Sequence, residues 1–109
     1  MEYIPVIHIQ SKAPLWLPIN EILFITVNNR KFEYYTFSGT YRNPGTIMEQ
    51  YTLMNSVGFE YADRKSYLAN LQNVTKYDKE TRQVHFIHES GMTLTIEASR
   101  RSSKIFNHN

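Results

Sequence analysis

From Met92 to Glu97 apolar and polar residues alternate without a break, Met92, Leu94 and Ile96 against Thr93, Thr95 and Glu97. A strand turns successive side chains to opposite faces, so this period of two specifies a β-strand with one face on a core and the other in solvent. The segment before it obeys the same rule: Val84 and Phe86 alternate with Gln83 and His85, and Ser90-Gly91 supplies the turn between the two runs. A lone hairpin is marginal in water, so the remaining chain must supply a partner for its apolar face.

Most of that remainder also reads as β structure. Phe32 to Phe37 is dense in aromatics, and Glu21 to Val27 is nearly all apolar and β-branched, a buried strand preceded by a turn at Ile19-Asn20. Asn28-Asn29-Arg30-Lys31 between them is a polar turn. Leu15-Trp16-Leu17 is fenced by Pro14 and Pro18, which places it at a sheet edge, and Met1 to Gln10 is a strand-like start interrupted by Pro5. Ser38 to Gly45 predicts turns with a short strand around Tyr41, Phe59-Glu60-Tyr61 is extended, and Val74 to Asp78 leads into a turn at Lys79-Glu80-Thr81.

One helix is legible. Thr46 with Glu49 three residues on is a capping box, Ile47, Tyr51, Met54 and Val57 share a face, and Gly58 supplies the stop. Ser99 to Phe106 reads as a short terminal helix, while Ser66 to Leu71 fits either a tight turn or a short helix. The fold class that follows is mainly β with one or two short helices, in one domain spanning residues 1–109.

Several chemistries are excluded or unsupported. The chain has no cysteine, which removes disulfides, thiolate zinc sites and thiol nucleophiles. His85 and His88 are three apart on a strand, so they face opposite ways, and His8 and His108 are isolated. No carboxylate pair or glycine-rich phosphate loop stands out, so neither an enzyme nor a metal or cofactor is expected. No run approaches the roughly 20 apolar residues of a membrane span, and Met1-Glu2-Tyr3-Ile4-Pro5 lacks the features of a signal peptide, which implies a cytoplasmic chain.

Net charge is only +2, yet the basic residues are grouped. Arg30-Lys31 and Arg64-Lys65 are pairs, and Ala98 to Asn109 holds Arg100, Arg101 and Lys104 with no acid. Local rather than total charge decides phosphate affinity, so these groups suit a nucleic-acid partner. The aromatics Phe32, Tyr34, Tyr35 and Phe37 could also form a base-stacking sheet, but core packing is the better reading.

The stretch Phe59-x-Tyr61-x-x-Arg64-Lys65-Ser66-Tyr67-Leu68-Ala69-Asn70-Leu71 resembles the signature of the LytTR DNA-binding domain family. The resemblance continues through the strand pair around Gly91 to Ser99-Arg100-Arg101, and upstream through Ile22-Leu23-Phe24-Ile25, covering roughly Ile4 to Phe106. Arg64 stands where the family usually has His, and Asp63 is an acid beside it. The resemblance implies a LytTR-like fold of about ten short strands that binds double-stranded DNA by loops in the major groove, as a bacterial transcriptional regulator related to response regulators. By position it implies base contacts from Lys31, Lys65 and Arg100, in loops that also hold Arg30, Arg64, Arg101 and Lys104. The Ser66 and Ser99 hydroxyls, with neighbouring backbone N–H groups, would bind phosphate, whereas Tyr67 and Leu68 pack and Asn70 steadies a turn. Two copies on a repeated site are expected, in a stand-alone domain without a receiver, controlled by expression, oligomerisation or a regulatory protein partner. The alternative is a protein-interaction module of the same fold that has lost specific DNA binding.

Overall fold

The structure, a computed structural model, describes residues 2–28, 31–43, 47–63 and 66–107. Its ten strands are β1 (Tyr3–His8), β2 (Pro14–Pro18), β3 (Phe24–Asn28), β4 (Lys31–Thr36), β5 (Gly39–Asn43), β6 (Phe59–Asp63), β7 (Tyr67–Asn70), β8 (Lys76–Asp78), β9 (Gln83–Ile87) and β10 (Thr93–Glu97). Two helices, α1 (Ile47–Ser56) and α2 (Ser103–Phe106), complete the order. The strands form a seven-stranded sheet, β2-β1-β5-β4-β3-β7-β6, and a three-stranded sheet, β10-β9-β8. Every pairing is antiparallel.

The large sheet is the middle layer. One face packs against α1, where Met54 is fully buried among Ile4, Leu17, Ile25, Phe32, Tyr34 and Leu68. The other face packs against the small sheet and α2, with Phe24, Ala62 and Ala69 meeting Val84, Phe86, Ile96 and Phe106. Neighbours along one strand therefore divide between two cores: Phe24 and Ile25 part company, as do Leu68 and Ala69. Each large apolar side chain so buried contributes about 1.5–3 kcal/mol relative to exposure. The packing reading of Phe32 and Tyr34 holds, since they are 1% and 0% exposed. Burial also pushes the Tyr34 hydroxyl well above its ordinary pKa.

Local signals explain the breaks. Gly58 ends α1 with φ of 100°, a left-handed position that glycine adopts without steric cost. Tyr51 of α1 stacks on Tyr61 of β6 at 4.8 Å, fixing the helix to the sheet. Pro5 cannot donate to a ladder, yet β1 lies between β2 and β5. Its carbonyl instead accepts Asn43 Nδ2 at 2.6 Å, which bridges the two strands.

Three segments differ from expectation. Ser66 to Leu71 is neither tight turn nor short helix: Tyr67–Asn70 is a strand, and a 3-10 turn follows at Leu71–Asn73. The terminal helix is only Ser103–Phe106, preceded by a hydrogen-bonded turn from Ser99 to Ser102. The buried strand begins at Phe24 rather than Glu21, because Ile19–Glu21 forms a 3-10 turn. In the polar turn, Asn28 and Lys31 are the last rung of the β3–β4 ladder, while Asn29 and Arg30 lie outside the described residues. The Thr46 cap also lies outside them.

Candidate nucleic-acid interface

The strand registers bring the strand ends that flank two basic segments to one end of the large sheet. β3 pairs β7 through Phe24↔Ala69, Ile25↔Leu68 and Thr26↔Tyr67, so the end of β3 at Asn28 lies beside the start of β7. β6 pairs β7 from Phe59↔Asn70 to Asp63↔Tyr67, which sets the connection carrying Arg64, Lys65 and Ser66 at the same end. With strands about 4.8 Å apart, the β3–β4 and β6–β7 strand pairs are centred roughly 10 Å apart at that end. Arg30, Arg64 and Lys65 themselves lie outside the described residues, and Lys31 is placed by its backbone at the first position of β4.

The third segment comes from the other layer. After β10, the Ser99 N–H donates to the Ala62 carbonyl of β6 at 2.7 Å. That bond ties the turn bearing Arg100 and Arg101 to the strand that leads into Asp63 and Arg64. Within the turn, the Ser102 N–H donates to both the carbonyl and Oγ of Ser99 at 3.2 Å, and Ser103 Oγ donates to the Arg100 carbonyl at 2.8 Å. The backbone is fixed while Arg100, Arg101 and Lys104 remain exposed. Opposite them Phe106 is buried and stacks on Tyr77 with centroids 5.4 Å apart. Apolar anchoring of α2 through Phe106 therefore leaves Lys104 of the same helix facing outward.

The backbone N–H groups of Ser66 and Ser99 themselves donate to the Asp63 and Ala62 carbonyls at 3.0 Å and 2.7 Å, so at these two residues the hydroxyls are the groups left to meet a phosphate. Ser99 Oγ accepts one bond in the turn, which leaves its hydroxyl proton to donate elsewhere.

Asn70 steadies the turn that follows it, as expected, and also acts over a longer range. It is 2% exposed; its Nδ2 donates to the Ile22 carbonyl at 2.9 Å, and its Oδ1 accepts the Gln72 N–H at 3.2 Å. Asn73 Nδ2 reaches the same Ile22 carbonyl at 2.9 Å. The motif residue thus locks β7 to the segment entering β3.

Arg82 was not singled out by its sequence context. It follows a turn in which the Asp78 carboxylate accepts the N–H groups of Glu80 and Thr81 at 3.0 and 3.3 Å. Those bonds, Thr81 first and then Glu80, hold the Asp78 pKa below its usual value. Arg82 then contacts the residue before Ser99: its Nε donates to the Ala98 carbonyl at 3.1 Å, and its Nη2 lies 3.5 Å from Glu97 Oε2. Only the polar turn before Arg82 is visible in sequence.

The LytTr DNA-binding domain family model matches residues 14–109. The chain belongs to the LytTR DNA-binding domain family. This is a DNA-binding family of transcriptional regulation and not a family of enzymes. Among solved structures, the LytTr DNA-binding domain of a protein described as a methyl-accepting/DNA response regulator from Bacillus cereus is similar in fold. It superposes with a TM-score of 0.65 at 13% identity, covering 94% of this chain and 92% of that one. No curated protein matches the chain. The LytTR match leaves out β1, which nonetheless pairs with β2 and β5. Among the described residues no group of three or more His, Asp and Glu could hold a metal, and no helix is long and apolar enough to cross a membrane.

Proposed function

We propose that this LytTR domain binds specific double-stranded DNA by loops placed in the major groove and regulates transcription, with Arg100 reading a base. The observation that carries the reading is the Ser99–Ala62 hydrogen bond of 2.7 Å, which seats an exposed arginine turn beside the β6–β7 connection. A guanidinium can donate two parallel bonds to guanine O6 and N7, and a turn with a fixed backbone limits the directions from which it does so. Lys65 and Lys31 serve as further base contacts from neighbouring connections. Arg30, Arg64, Arg101 and Lys104, with the Ser66 and Ser99 hydroxyls, hold phosphates. Two copies bind a repeated site, in the cytoplasm of a bacterium.

Selection from a random duplex library, followed by titration at two salt concentrations, tests this. An enriched motif is expected. Arg100→Ala should then lose about 1–3 kcal/mol with relaxed preference at one base, while Lys104→Ala should weaken all sequences alike and reduce the salt slope by about one. Selected-site binding by Arg100→Ala as tight as the parent's would remove that residue from the reading.

One feature favours a second reading, a protein-interaction module. The small sheet covers only part of the large sheet, and on β1 and β2 Tyr3 and Trp16 are 51% and 68% exposed. Weak binding that salt erases, with no enriched motif, would favour it.

A further inference from the structure

Arg82 adopts φ of 57°, the left-handed region that an arginine side chain disfavours. A turn that needed only this backbone shape would be served better by glycine or asparagine. The arginine instead brings both its main chain and its side chain onto one residue. Its carbonyl accepts the Ala98 N–H at 2.8 Å, and its Nε donates to the Ala98 carbonyl at 3.1 Å. Glu97 Oε2, 3.5 Å from Nη2, holds the far edge of the guanidinium. Ala98 is 1% exposed, and the next residue makes the Ser99–Ala62 bond. The base-reading turn thus leaves from a residue whose two backbone polar groups are both held by Arg82. A strained conformation retained under such contacts is a reason to look for a role.

We propose that Arg82 is a positioning residue for DNA reading by Arg100: it fixes Ala98 so that the Ser99–Ser102 turn presents Arg100 in one orientation, without itself contacting DNA. This rests on the DNA-reading function proposed above. The guanidinium is engaged by Ala98 and Glu97, so its part is to restrict the turn rather than to add a phosphate contact. Loss of Arg82 should therefore harm discrimination at the Arg100 position more than general affinity.

The test uses the full chain, its selected duplex and a random duplex, with Arg82→Gly, Arg100→Ala and the double variant. Glycine accepts the left-handed backbone, so Arg82→Gly removes the side-chain bonds without adding strain, and its thermal midpoint serves as the folding control. Affinity for the selected site should fall about tenfold, the worth of one charge-assisted bond, with random-duplex affinity and salt slope unchanged. In the Arg100→Ala background the same change should cost less than about twofold, because coupled residues are not additive. A tenfold loss that persists without Arg100, a salt slope reduced by about one, or parental binding by Arg82→Gly would each overturn the proposal. Parental binding by Arg100→Ala would overturn the underlying assignment of the reader instead, and the single variants tell the two failures apart.

Discussion

Replacing Asn70 with alanine should expose how the motif supports the fold. The side chain is 2% exposed and makes two bonds, to the Ile22 carbonyl and from the Gln72 N–H. Each is worth about 0.5–1.5 kcal/mol net, so their joint loss is roughly 1–3 kcal/mol. Two circumstances hold the cost toward the lower half. The Gln72 N–H belongs to an exposed residue and can turn to water, and the Ile22 carbonyl keeps Asn73 Nδ2 as a donor at 2.9 Å. About 1.5 kcal/mol is therefore expected for Asn70→Ala, and about 1 kcal/mol for Asn73→Ala. In Asn70→Ala/Asn73→Ala the carbonyl loses both donors and bears an added desolvation cost of about 1–2 kcal/mol. The double variant should thus be less stable than the sum of the singles by that amount. Urea melts of the four proteins, fitted with a common m-value, measure the coupling. Strict additivity, within about 0.5 kcal/mol, would show that the shared carbonyl is not the link between the two asparagines.

The Asp78 turn and the face around Trp16 give two further tests. Hydrogen bonds depress the Asp78 pKa in the folded chain, so the native state binds its proton less readily than the unfolded state does. Its contribution is present above the unfolded value of about 3.9 and is lost as pH falls through the folded value. Carboxyl NMR should place that titration below the ordinary aspartate range in the parent, and Asp78→Asn should flatten the acid limb of the stability profile; an ordinary Asp78 titration would refute the turn geometry. Trp16 is the chain's one tryptophan and is 68% exposed, so native emission should be red-shifted and freely quenched by acrylamide. Protection from quenching in the free protein would show that a second copy covers that face.

The sequence exposed structure where one face was wet and hid it where both faces were covered. In β10, Ile96 is buried and Leu94 half-buried between exposed Thr93, Thr95 and Glu97, so alternation was plain. Met92, at the head of the same pattern, lies outside the strand and is 51% exposed, because alternation does not mark where a strand starts. In β7, Leu68, Ala69 and Asn70 are all buried, Leu68 toward the helix side and Ala69 toward the small sheet. A strand covered on both faces loses its polar alternation, and alanine and asparagine are weak strand formers, so nothing local distinguished it from a turn.

The same division governs the candidate interface. Charge grouping locates Arg100 and Arg101, although the sequence pattern extends the terminal helix over them where the chain makes a turn from Ser99 to Ser102. What ties them to the Arg64-Lys65 connection is a backbone bond between Ser99 and Ala62, and what holds the root of the turn is Arg82 on Ala98. Ala62 and Ala98 are 0% and 1% exposed, and no charge or side-chain hydrogen-bonding group marks either. Their smallness lets β6, the end of β10 and the Arg82 turn meet closely enough for main-chain bonds to join two layers. Larger side chains there would have to part those layers or repack the core between them, either of which would move Arg100 relative to the end of β6. The relative placement of the basic segments therefore depends on buried alanines as much as on the cations themselves.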